Sequence, residues 1–99
     1  MREPPMATGA QAAVRRHRLR IRTVVVSFSA AVRSAHRDLG VNAVERDALI
    51  EVWRAWAISA VDDYAFNAEP LMTSSGLDDA ERKALSEEMD QGYQRVRDA

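Results

Sequence analysis

The chain of 99 residues contains no cysteine, which excludes a disulfide framework and a thiolate metal site. Only four glycines are present, and none falls in a phosphate loop or a dinucleotide fingerprint. Nothing in it approaches the run of about 18 apolar residues that a membrane span requires. The N-terminal residues lack the apolar centre of a secretory signal, so a cytoplasmic protein without a membrane partner is the expectation. Six aromatic residues are present, and none interleaves with the basic residues described below, which argues against stacking on single-stranded nucleic acid. What remains is 46% apolar and 29% charged, the composition of one small globular domain. So short a chain buries a modest core, and a second subunit would add to it.

The net charge of −1 conceals a strong polarity. Residues 1–40 hold eight arginines and two acids, whereas residues 41–99 hold six basic and thirteen acidic side chains. Such a chain either folds one half against the other or offers its basic half to an anionic partner.

The pattern predicts a mainly helical, three-helix, bundle-like single domain over residues 10–99. Residues 1–9, with Pro4, Pro5 and Gly9, are expected to form a flexible leader. A first helix is predicted over about 10–39, stopped by Gly40. Asn42 followed by Glu45 is a variant capping box that starts a second helix over about 43–66. Its repeat of Leu49, Val52, Trp53, Trp56 and Tyr64 is helical, and these residues are expected to form the core or a subunit interface, core first. Pro70 is read as confirming its end, with a loop over 67–77. Asp78 caps a third helix over about 78–97, whose thin stripe of Leu85, Met89, Tyr93 and Val96 either packs through one seam or waits for a partner.

Two periods compete in the first segment. Ile21, Val25, Phe28, Val32, Ala35 and Leu39 follow steps of three and four, which favours one long amphipathic helix. Arg18-Leu19-Arg20-Ile21-Arg22 alternates, and β-branched residues follow, which favours a strand over 18–26 pairing across a dimer and a helix over 28–39. Helix throughout is the expectation because its stripe covers more residues. If instead the strand forms, a dimer is required, since a lone strand has no pairing edge.

Arg15, Arg16, His17, Arg18, Arg20 and Arg22 fall within eight residues. The arginine fork holds a phosphate or a guanine edge with two hydrogen bonds. On a helix, Arg15, Arg18 and Arg22 line one side and Arg16 and Arg20 another, a surface for phosphates without base reading. The same arginines also have acids at residues 78–90 to pair with. The run Arg-Leu-Arg-Ile-Arg-Thr-Val-Val-Val-Ser, then an apolar-periodic helix, Leu39-Gly40-Val41-Asn42 and a second helix, resembles ribbon-helix-helix DNA-binding proteins over about residues 18–60. That resemblance implies an intertwined homodimer whose paired strands read double-stranded DNA, with Arg18, Arg20 and Arg22 facing DNA and Leu19 and Ile21 facing the core. The second helix is longer than that family's, and the third has no counterpart in it.

The hexapeptide His36-Arg37-Asp38-Leu39-Gly40-Val41 is similar to the segment after the haem-binding histidine of bacterial globins, which implies haem ligation by His36. Too little chain precedes it for the distal half of a globin pocket. No cofactor is expected. No metal is expected either, since His17 and His36 lie far apart without acids at ligand spacing. Asp62 and Asp63 point about 100° apart on a helix and do not converge. Ser27, Ser29 and Ser34 lack a nucleophile signature. The expected function is therefore binding, not catalysis: a dimeric nucleic-acid-binding regulator using Arg15, Arg16, Arg18, Arg20 and Arg22. The alternative is a helical assembly or adaptor protein that docks on a protein partner.

Overall fold

Residues 18–26, where two periods compete, are helical throughout in the computed structural model, which describes residues 5–38, 40, 42–74 and 76–99. Ile21, Val24, Val25 and Phe28 are buried at helical spacing. A strand would have put Leu19 and Ile21 on the same face, yet Leu19 is 63% exposed and Ile21 fully buried. The β-branched residues are accommodated because packing outweighs strand propensity. Thr23 turns its hydroxyl back onto the Leu19 carbonyl at 2.8 Å, a helical bond. The strand pairing across a dimer is thus replaced by a continuous helix, and the ribbon that the family resemblance implies is not formed.

Three helices make up the described fold: α1 (Pro5–Arg37), α2 (Ala43–Met72) and α3 (Asp79–Asp98). They pack pairwise into a bundle of 59 × 22 × 16 Å. The first helix begins earlier than the sequence suggests. Residues 5–9, expected in a flexible leader, already belong to α1, while residues 1–4 lie outside the described residues. Pro5 suits a first helical turn, where its missing N–H has no partner to serve. This early start leaves the arginines from Arg15 onward well beyond the positive first turn.

α1 ends at Arg37, and the Asp38 carboxylate accepts from the Gly40 N–H at 2.9 Å in the turn. Asn42 caps α2 by accepting from the Glu45 N–H at 2.9 Å, and Asp78 caps α3 in the same way from the Glu81 N–H at 2.8 Å. Pro70 does not stop α2. It lies in the last turn, exposed, and the helix continues to Met72, where Thr73 closes it on the Glu69 carbonyl. The residues 67–72 expected in a loop are therefore helical. A proline here removes a single backbone bond near the helix end, where the cost is low.

The core lies in two parts. One joins Val24, Val25, Phe28 and Val32 of α1 to Ile50, Ala57 and Val61 of α2 and Val96 of α3. The other joins Val14, Ala68, Leu77 and Leu85 nearer the opposite end. On α2 this corrects the expected core. Leu49, Val52 and Trp56 are exposed, at 41%, 65% and 54%, and Trp53 and Tyr64 are half-buried against the core. α2 carries two apolar stripes; the one that turns inward is Ile50, Ala57, Val61 and Ala68, and its two alanines let the three helices approach closely. The α3 stripe, by contrast, is engaged: Leu85 and Val96 are fully buried within the bundle.

Candidate docking surface and the arginine face

The helical form of residues 15–22 divides the arginines between two sides. Arg15, Arg18 and Arg22 border a shallow cleft with Leu19, while Arg16 and Arg20 point elsewhere. Arg18 and Arg22 are not free. Oε1 of the buried Glu88 accepts from Arg18 Nε at 3.1 Å and from Arg22 Nε at 2.9 Å, with Arg22 Nη2 also at 2.9 Å. Burial raises the Glu88 carboxyl's affinity for its proton. The hydrogen bonds from Arg22 and then Arg18, with their charges, outweigh this and hold its pKa below the usual carboxylate value of 4.5.

Two of the three arginines foremost in the DNA-reading expectation therefore join α1 to an acid of α3. Arg15, Arg16 and Arg20 are exposed, and no carboxylate among the described residues lies within ion-pair distance of them. α1 contains seven arginines and no acid, so its outer surface stays positive after Glu88 is counted.

The sequence offered the acids at residues 78–90 as partners for these arginines, and Glu88 is one of them; which acid pairs was not legible, because Glu88 sits beside Glu87 and Asp90 in one acidic helix. Arg54 was missed for a similar reason. It reaches from α2 to the last turn of α3, donating to the carbonyls of Val96, Arg97 at 3.1 Å and Ala99 at 3.3 Å, with its guanidinium 5.4 Å from the Phe28 ring. A cation at a helix C-terminus complements its partial negative charge. On the same side, the Tyr93 hydroxyl donates to Asp62, and burial together with that carboxylate raises its pKa from 10 to about 12.

Asp62 and Asp63 do not form a carboxylate pair: Asp62 accepts from Tyr93 and Asp63 is exposed. His36 is exposed in the last turn of α1. His17 is half-buried, with Nδ1 3.0 Å from the Ala13 carbonyl and its ring edge-on to Tyr64. Among the described residues no three acids or histidines are grouped to hold a metal ion, and no helix is long and apolar enough to cross a membrane.

The other unusual surface is the outer side of α2. Val44, Leu49, Val52, Trp56 and Phe66 are all exposed on one helix, at up to 81%. Scattered exposed apolar residues are ordinary, but here several share the outer side of one helix at helical spacing, with a tryptophan among them. No protein-family model, no curated protein and no solved structure matches the chain.

Proposed function

We propose that the chain is a non-catalytic helical assembly protein that binds a partner helix on the outer stripe of α2. The observation that carries this reading is the exposure of Leu49, Val52 and Trp56 in consecutive turns of a helix whose opposite stripe fills the core. A helix seated on this stripe would bury Trp56, a residue type that anchors interfaces, and complete the second face of α2. The reading favours the assembly alternative because Glu88 ties down Arg18 and Arg22, leaving the nucleic-acid surface weaker than the sequence suggests.

A photo-crosslinking residue at position 52, compared with one at the exposed position 91 of α3, tests it in cells that make the full chain. A discrete adduct at 52, absent at 91 and abolished by Trp56→Lys, is expected. Absence of any adduct at 52 overturns the reading.

A second reading rests on the unpaired Arg15, Arg16 and Arg20 of an acid-free helix: these arginines hold the phosphates of double-stranded DNA. Anisotropy of a labelled random duplex, titrated at several salt concentrations, tests it. Affinity that falls steeply with salt supports it, the slope being about 0.9 per neutralised phosphate. No binding at low salt overturns it.

A further inference from the structure

The exposed side of α1 carries a stripe of its own. Arg16, Leu19, Thr23, Val26, Ala30 and Arg33 follow in steps of three and four, and all six are exposed. Leu19 and Val26, both 63% exposed, are its apolar centre. The α2 stripe has the same layout: Glu45, Leu49, Val52, Trp56, Ser59 and Asp63, again all exposed. Each stripe has four uncharged residues between two charged ends. At 1.5 Å per residue the charged ends are about 25 Å apart on α1 and about 27 Å apart on α2. The ends of one stripe are both arginine, and the ends of the other are both carboxylate.

Laid antiparallel, the stripes match without slipping. Arg16 meets Asp63, Leu19 meets Ser59, Thr23 meets Trp56, Val26 meets Val52, Ala30 meets Leu49 and Arg33 meets Glu45. Laid parallel, Arg16 meets Glu45 and Arg33 meets Asp63, with Leu19 on Leu49. Either direction sets opposite charges at both ends and apolar surface between, as in coiled-coil seams. Pairing a stripe with its own kind fails the same comparison. Two α2 stripes placed antiparallel about residue 54, with Val52 on Trp56, put Glu45 against Asp63 at both ends. Two α1 stripes placed likewise put Arg16 against Arg33. Like charges in such positions oppose association.

Among the described residues, none of Arg16, Arg33, Glu45 and Asp63 takes part in an ion pair. The α1 stripe cannot reach the α2 stripe of its own chain, because α1 and α2 meet through other faces, Val24 and Phe28 against Ala57 and Val61.

We infer that the partner on the α2 stripe is the α1 stripe of a second copy of this chain. The inference rests on the α2 docking reading proposed above and supplies its occupant. The contact joins two different surfaces, so each copy keeps one free stripe of each kind until a ring closes or a chain of subunits grows.

The test uses the full-length chain in two charge-reversed forms, R16E/R33E and E45R/D63R. Light scattering and sedimentation measure mass, and circular dichroism checks that each form retains its helices. The native protein is expected to grow beyond the 11.1 kDa monomer as concentration rises. Each variant alone is expected to stay monomeric. An equimolar mixture is expected to regain assembly, because the unaltered α1 of E45R/D63R meets the unaltered α2 of R16E/R33E, and the acidic α1 of the latter meets the basic α2 of the former. A native protein that stays monomeric into the millimolar range overturns the inference, as does a mixture that fails to assemble or a variant that assembles as the native chain does. Val26→Glu in one form and Val52→Lys in the other, residues that meet in the antiparallel register, repeat the cross-mixing from inside the stripes, should a reversed end charge unfold its helix.

The crosslinker at position 52 separates this inference from the reading it rests on. An adduct of twice the chain's mass that yields α1 peptides supports the second copy. An adduct with a different protein keeps the docking reading and overturns the second copy, and no adduct overturns both.

Discussion

Gly92 of α3 lies against Ile21 of α1 so closely that a Cβ added to it would come within 2.9 Å of Ile21 Cγ2. Ile21 is fully buried and Gly92 is buried, so neither has solvent to move into. A glycine in mid-helix costs about 1 kcal/mol relative to alanine, and here the close crossing of α1 and α3 accounts for it. Gly92→Ala is expected to lower stability by about 1–2 kcal/mol, because overpacking outweighs the propensity gain. That corresponds to a fall of several degrees in Tm for a domain of this size. A thermal melt that rises would show that the helices can part at no cost.

Glu88 makes the stability pH-dependent in a stated direction. Its folded pKa lies below the ordinary 4.5, so its contribution is complete above that value and is lost as pH falls through the lowered folded value. Glu88→Gln is expected to cost about 1–3 kcal/mol at neutral pH, the range of hydrogen bonds to charged groups, with the lower end favoured because Arg22 is half-exposed. The same variant should flatten the acid limb of the stability curve. Denaturant melts at pH 7 and pH 4 check both, and an unchanged difference between them would remove Glu88 as the cause.

Tyr93 supplies the opposite limb. Its folded pKa is raised to about 12, so its contribution is present below the ordinary value of about 10 and is lost as pH climbs from there. The phenolate absorbance of the folded protein should show one tyrosine titrating near 12. Asp62→Asn, which removes the carboxylate that accepts from the hydroxyl, should bring that midpoint back toward 10.

Arg54 closes the C-terminal end of α3 from another helix. Arg54→Met keeps an unbranched apolar stem but removes the guanidinium, and with it the contact over the Phe28 ring and the donors to Val96, Arg97 and Ala99. A loss of about 1–2 kcal/mol is expected. Hydrogen exchange should quicken in the last turn of α3 while the Ile21 region keeps its protection. Uniform loss of protection would mean that Arg54 acts through the whole bundle instead.

If the unpaired arginines hold duplex phosphates, Arg15→Glu with Arg20→Glu should weaken binding across all sequences and reduce the salt slope by about two. Arg18→Glu should instead act mainly on stability, since its side chain is committed to Glu88. Equal effects of the two changes on binding would mean that the pair with Glu88 opens when DNA arrives.

Local chemistry determined much of this molecule. The Asn42 and Asp78 caps, the turn at Gly40, and the Ile21, Val25, Phe28, Val32 and Ala35 stripe specify three helices and the inward side of the first, because caps and periodicity act between residues a few positions apart. Pro5 and Pro70 misled in one direction: Pro5 opens α1 instead of lying in a leader, and Pro70 lies inside the last turn of α2 instead of after its end. The division of the basic cluster into two sides of a helix was legible, and so was the pairing of its arginines with acids at residues 78–90 as an alternative; that Glu88 is the acid and Arg18 and Arg22 the arginines was not, since they are about seventy positions apart. Only the tertiary structure chose between the two apolar stripes of α2. Both have helical spacing, and the larger side chains of Leu49, Val52 and Trp56 point to the wrong one. The choice was made by the opposing helices. Ala57, Ala68 and Gly92 are small enough to let α1 and α3 close over α2, and that closeness left the bulky stripe outside.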